Sequence, residues 1–163
     1  MSTENRRHGD TDAPHRENCI FCRIASGGLP SHVVYEDDRV KAFLDIHPIR
    51  PAHVLIIPKA HYDYYDDLPP DLAAAIVHLG QGLGKAMKSL YGVERAAFLF
   101  TGTDVAHVHA HVLPMHAKAD ITSVAYIEQR DLTFRLPPRA DDDELRRLAA
   151  LVGSRLGDAG AGQ

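Results

Sequence analysis

A chain of 163 residues, 45% hydrophobic and 25% charged, has the composition of an ordinary globular protein and enough length for one domain with a real core. Its formal net charge of −4 leaves no basic surplus to neutralise a phosphate backbone, which argues against a nucleic-acid polymer as partner but not against a single nucleotide. No run approaches the ~20 apolar residues of a membrane span, and the polar start has no signal-type apolar segment, so no membrane and a cytoplasmic location are expected.

Residues 1–17, MSTENRRHGDTDAPHRE, have no apolar periodicity and read as a disordered tail before a main domain over 18–120. CIFCRIASGGLP follows as a short helix or turn, ended by Gly27, Gly28 and Pro30. Cys19 and Cys22 are the only cysteines, too few for a disulfide framework; their CxxC spacing points to a metal or to redox chemistry, with a pair of buried thiols as the plain alternative. HVVYED and RVKAFLDI read as two strands of a hairpin turning at Asp37-Asp38. HVLIIP, nearly all apolar, reads as a third strand buried on both faces.

Over 69–90 the period changes. Leu72, Ile76, Leu79, Leu83, Met87 and Leu90 recur at spacings of three and four, the pattern of an amphipathic helix, with Pro69-Pro70 in its first turn and Gly92 at its end. Gly80, Gly82 and Gly84 lower its propensity and are expected to allow close backbone packing. RAAFLF and HVHAHVL read as the fourth and fifth strands, the last ended by Pro114. LTFRL is a weaker strand candidate. Residues 121–163 form a C-terminal extension with a helix near 140–157, acidic at 141–144 and carrying Leu145, Leu148, Val152 and Leu156 on one face. Strands, helix, then strands again give an α+β class with a largely antiparallel sheet.

The chemistry concentrates in VAHVHAHVLPMH, residues 105–116. On a strand, His107, His109 and His111 share one face, with roughly 6.6 Å between neighbouring Cα atoms and roughly 13 Å across the outer two. Two neighbours can share a zinc ion, but three from one straight strand can hardly converge on it. Imidazole is also a nucleophile and general base near neutral pH, so the alternate reading is covalent or acid–base catalysis.

HVHAHVL satisfies the pattern His-φ-His-φ-His-φ-φ, with φ apolar, and CIFCRIASGGLPSHVVYEDDRVKAFLDIHPIRPAHVLIIPKAHY matches in its CIFC start, YED hairpin, AFLDI strand and HVLIIPK strand. Over about residues 19–116 the chain therefore resembles the histidine triad family. The resemblance implies a five-stranded antiparallel sheet with two helices, a homodimer, and cleavage of a purine nucleotide or nucleotide conjugate at the α-phosphate. It implies His109 as nucleophile, His111 on the phosphate and leaving group, His53 beside it, and His107 as the first triad histidine. Asp45 would take the ribose hydroxyls, and Phe21, Ile24, Phe43, Ile46 and Leu55 the base. By position, Cys19, Cys22, His61 and His107 would hold a structural zinc, with no catalytic cofactor needed. The chain departs from the family in FTGTDVAH, where Thr103 and Asp104 replace the usual glutamine and serine; a carboxylate near phosphate is unfavourable unless turned away. Met115 also replaces the usual arginine after the triad, and His116 comes next. The competing functions are a zinc-dependent hydrolase and a nucleotide-binding regulator with little catalysis.

Overall fold

The structure, a computed structural model, describes residues 16–101, 104–117, 120–121 and 137–160. Residues 1–15 of the expected tail, the candidate strand LTFRL and Thr103 lie outside the described residues. The order is α1 (Ile20–Ala25), β1 (Val33–Glu36), β2 (Val40–Leu44), β3 (Val54–Pro58), α2 (Pro70–Tyr91), β4 (Arg95–Thr101), β5 (His109–Met115) and α3 (Asp142–Gly160), with one 3-10 turn at Tyr65–Asp67. The strands form one sheet in the order β1-β2-β3-β5-β4, every neighbour antiparallel. The α+β, five-stranded expectation therefore holds. β3 is central and buried at every position, as its unbroken apolar run requires. No helix among the described residues is long and apolar enough to cross a membrane.

Each face of the sheet has its own use. Ala42, Leu44, Val54, Ile56, Ala110 and Val112 point to one face and build the main core with α2 and α3. α2 contributes Leu72, Ile76, Leu83 and Met87, the stripe read from its period, and α3 contributes Leu145, Leu148 and Val152. A Cβ at Gly80 would lie 2.4 Å from the Phe98 ring, and one at Gly82 2.7 Å from Leu156 Cδ1. These glycines let α2 approach β4 and α3 more closely than a side chain would allow. Gly92 caps α2 with φ 63°, a conformation that glycine adopts without penalty.

The opposite face carries Phe43 and Leu55 side by side, then His111 opposite Leu55 on β5. α1 covers part of it: Phe21 and Ile24 join Phe43, Leu55 and Ile57 in a second, smaller cluster.

Two features of β5 differ from expectation. The strand begins at His109, so His107 precedes it. The His107 amide bonds to the Val105 carbonyl and the Val108 amide to the Tyr62 carbonyl, which takes both out of the ladder. Pro114 does not end the strand but sits inside it, opposite Ala96. Pairing with β3 covers only Ala110 to Val112, so past that point β5 has a single neighbour and tolerates a residue without an N–H.

Candidate active site

Departure from the strand turns His107 away from its two successors. Its Nε2–H is donated to the Pro58 carbonyl at 3.0 Å, which leaves the Nδ1 lone pair facing Cys19 Sγ at 3.4 Å and Cys22 Sγ at 3.5 Å. His61 does the same from the loop after β3. Its Nε2 is 2.9 Å from Asp63 Oδ1, and its Nδ1 faces Cys22 Sγ at 3.2 Å. Cys19 caps the start of α1 and Cys22 lies within that helix, one turn on. The four donor atoms all lie within 4.8 Å of one another, and Cys22, His61 and His107 are buried. Two sulfurs and two imidazole nitrogens with fixed tautomers form a four-donor set of zinc-binding type, so the residues present fit that ion. Burial holds the His107 ring well below the ordinary imidazole range, at about 4, so the Nδ1 that faces the thiols is unprotonated at neutral pH.

His109 and His111 stay on β5 and on one face, ring centroids 5.0 Å apart. Here the backbone selects the other nitrogen. His109 Nδ1 donates to the His107 carbonyl at 2.7 Å, so in the neutral ring the lone pair lies on Nε2. Phe21 packs edge-on against both His107 and His109, separating the thiol cluster from the triad's second half.

His111 is the middle of a chain of hydrogen bonds. His53, the residue before β3, accepts the Ile49 N–H on Nδ1 at 3.3 Å. Its Nε2–H is therefore free to donate to His111 Nδ1 at 2.9 Å, and His111 Nε2–H in turn to Thr101 Oγ1 at 2.8 Å. The Thr101 hydroxyl also stands 3.4 Å from His109 Nε2. Burial, followed by the neighbouring His53 and His109 rings, lowers His111 to about 4, and burial lowers His53 against the pull of the Asp45 carboxylate. Both rings are thus neutral at neutral pH, each with one donor and one acceptor nitrogen.

Asp45 follows β2. One oxygen accepts the His47 amide at 2.8 Å and the other lies 3.6 Å from His53 Nδ1. Asp45, His53 and His111 also bring one donor atom each within 4.8 Å. Of the five apolar residues assigned to the base, Phe21, Ile24, Phe43 and Leu55 share the smaller cluster; Ile46 is 42% exposed and stands outside it. Asp104 is exposed. The sequence reading missed Thr101 and Asp63. Thr101 enters because the β4–β5 register places it opposite His109, which no local pattern announces. Asp63 is two residues from His61, a spacing that could have pointed to an outer-shell carboxylate.

Taken together, the arrangement offers an imidazole nitrogen with its lone pair available, donors beside it, and an adjoining apolar cluster. Known proteins resemble this chain in sequence and fold. The HIT domain profile matches residues 26–118. An uncharacterized HIT-like protein of Methanocaldococcus jannaschii is 37% identical over 102 residues, which cover 60% of this chain and 79% of that protein. An Arabidopsis thaliana protein named adenylylsulfatase HINT3 is 32% identical over 104 residues, covering 61% of this chain and 53% of that protein. Among solved structures, a zinc-bound histidine triad family protein from Mycobacterium smegmatis aligns with a TM-score of 0.68 at 27% identity, over 90% of this chain and 98% of that one. With the family profile spanning more than half of the sequence and the triad set as described, the chain belongs to the histidine triad (HIT) family.

Proposed function

We propose that the protein is a nucleotide phosphohydrolase or nucleotidyl transferase that cleaves a purine nucleotide conjugate at the α-phosphate, with His109 as the attacking group. One observation carries the reading: the Nδ1–H of His109 is held by the His107 carbonyl, so its nucleophilic lone pair sits on Nε2, beside Thr101 and His111. A relative named adenylylsulfatase supports a nucleotide-linked substrate.

In the proposed first step Nε2 attacks phosphorus. A P–N bond forms while the bond to the leaving group breaks, and the leaving group departs with the electron pair. The Nε2–H of His111 and the Thr101 hydroxyl donate hydrogen bonds where negative charge develops on the phosphoryl oxygens or the leaving atom. Water then attacks the nucleotidyl-histidine and gives up a proton to solvent, the P–N bond breaks with its electron pair returning to Nε2, and nucleoside monophosphate leaves as the imidazole is restored. Asp45 is assigned to the ribose hydroxyls, Phe21, Ile24, Phe43 and Leu55 to the base, and Ile46 to the rim of that pocket. No catalytic cofactor takes part.

Cys19, Cys22, His61 and His107 are assigned to a structural zinc. These residues would hold the ion between α1 and the segment before β5, which carries the carbonyl that orients His109. Four protein donors would fill a tetrahedral shell, which favours this role over a zinc-dependent hydrolase, where one position stays open. A homodimer is proposed as well; among the described residues β4 stands at one end of the sheet, where a second copy could pair with it.

The test is a panel of nucleoside phosphoramidates, dinucleoside polyphosphates and adenylyl sulfate, assayed for released nucleoside monophosphate. Turnover by the wild type, its loss in His109→Ala, and a nucleotidyl adduct by intact-protein mass spectrometry are expected. Full activity in that variant overturns the assignment. Calorimetric binding without turnover or adduct would instead establish the nucleotide-binding regulator.

A further inference from the structure

Arg50 and Asp120 lie 70 residues apart in sequence and have no part in the chemistry above, yet the structure pairs them closely. Asp120 Oδ1 accepts Arg50 Nε–H at 3.0 Å and an Nη2–H at 2.6 Å. Its other oxygen accepts the amides of His116 at 2.8 Å and Ala117 at 2.9 Å. All four donors converge on a carboxylate whose side chain is only 6% exposed. The Arg50 guanidinium, with these amides, holds the Asp120 carboxyl down to about 2, so the pair stays charged across the working pH range. It joins the β2–β3 connection to the segment leaving β5.

The backbone on either side of the Arg50 side chain ends on His53. The Arg50 carbonyl accepts the His53 N–H at 3.1 Å, closing a tight turn with Pro51 and Ala52 at its centre. One residue earlier, the Ile49 N–H is the donor that occupies His53 Nδ1. The turn adopts its shape against resistance, since Ala52 has φ 66°, a left-handed conformation that its Cβ disfavours. Such a turn holds only while its surroundings determine it. The earlier half of the connection has its own anchor, from the Ala140 amide to the Ile46 carbonyl at 2.8 Å. In the second half, the part that addresses His53, Ala52 is packed into the main core and Arg50 is tied to Asp120.

We propose that Arg50 and Asp120 are positioning residues. Their ion pair keeps the Ile49 amide on His53 Nδ1, which makes His53 Nε2 the donor to His111 and keeps the His111 proton on Nε2, the nitrogen beside Thr101. The proposal rests on the reading of His109 and His111 given above, so it needs a readout independent of turnover. Nitrogen-15 NMR of the imidazole rings supplies one, because the two neutral tautomers of His53 differ in which nitrogen carries the proton.

In the wild-type full chain, His53 is expected in the Nε2–H form. Arg50→Ala should mix the tautomers and lower kcat on the order of tenfold while KM changes less than about twofold, as for a misoriented group that acts in the transition state. Arg50→Lys, which keeps the charge but not the fork, should recover part of both signals. Asp120→Asn, which keeps an acceptor and the shape, should act in the same direction as Arg50→Ala. An unchanged His53 tautomer in Arg50→Ala and Asp120→Asn overturns the proposal, as does loss of folding in both, which would make the pair merely structural. If the wild type turns over no nucleotide, the functional reading fails, yet the tautomer measurement still decides the positioning role.

Discussion

Two histidine clusters lie side by side in this molecule, and they face opposite chemistry. His61 and His107 turn Nδ1 toward the thiols of Cys19 and Cys22, because their Nε2–H groups are taken by Asp63 and the Pro58 carbonyl. His109, two residues after His107, has its Nδ1–H taken by a carbonyl and is left with Nε2. The side chains are identical; the acceptor behind each ring decides which nitrogen is available, and therefore whether the lone pair faces the thiols or the space beside Thr101. A backbone carbonyl two residues away is enough to make the difference. The comparison also shows why His107 belongs to both halves: its ring serves the thiol cluster and its carbonyl serves His109.

The clearest way to break the comparison is to remove one ring from each side. His109→Ala should lower release of nucleoside monophosphate by roughly 10³-fold or more, with zinc content and circular dichroism unchanged. Cys22→Ser should show the reverse pattern: loss of retained zinc, a lower Tm, and partial activity. If His109→Ala loses zinc, or Cys22→Ser keeps it, the two clusters are not separate in function.

The next effect concerns the acceptors. Asp63→Ala should weaken zinc binding about 10- to 100-fold in competition with a chromophoric chelator, since His61 loses the partner that fixes its tautomer. Arg16 also pairs with Asp63, at 2.9 Å, but this contact is exposed and its removal should matter less. On the other side, Thr101→Val removes the hydroxyl between His109 and His111 and should lower kcat on the order of tenfold, leaving zinc affinity alone.

The smallest effect is a pH dependence of stability. His111 has a folded pKa of about 4, below the ordinary value of about 6.5, because burial disfavours its charged form. The unfolded chain then binds the proton more readily than the folded one. The neutral ring's contribution is fully present above about pH 6.5 and is lost as pH falls toward 4. Chemical denaturation of zinc-free protein across this range should show a shallower decline for His111→Asn than for wild type. Equal slopes would mean that the ring is less buried than it stands here.

Much of the fold was legible before the structure. The unbroken apolar run of HVLIIP read correctly as a central strand, since a strand covered on both faces has no polar side to show. The stripe from Leu72 to Met87 read as the face of α2. The same logic misplaced the start of β5. Alternation through His107 looks like a strand, but a strand also needs a partner for its backbone, and the His107 amide bonds locally instead. The cysteine pair stood out by its CxxC spacing, but His61 and His107 joined it only by resemblance, because Cys22 and His107 are 85 residues apart and no local pattern links them.

From the sequence alone come the types of group available and the periodicities that sort them into faces: the histidines, the cysteine pair, the apolar strand and the amphipathic helices. Those are local properties, set by side-chain chemistry and by the repeat of helix or strand. The tertiary structure decided which nitrogen of each ring is free, that Thr101 stands beside His109, and that Asp120 reaches Arg50. Each of these depends on strand register or on contacts between distant segments, where a displacement of one residue would present a different side chain or carbonyl.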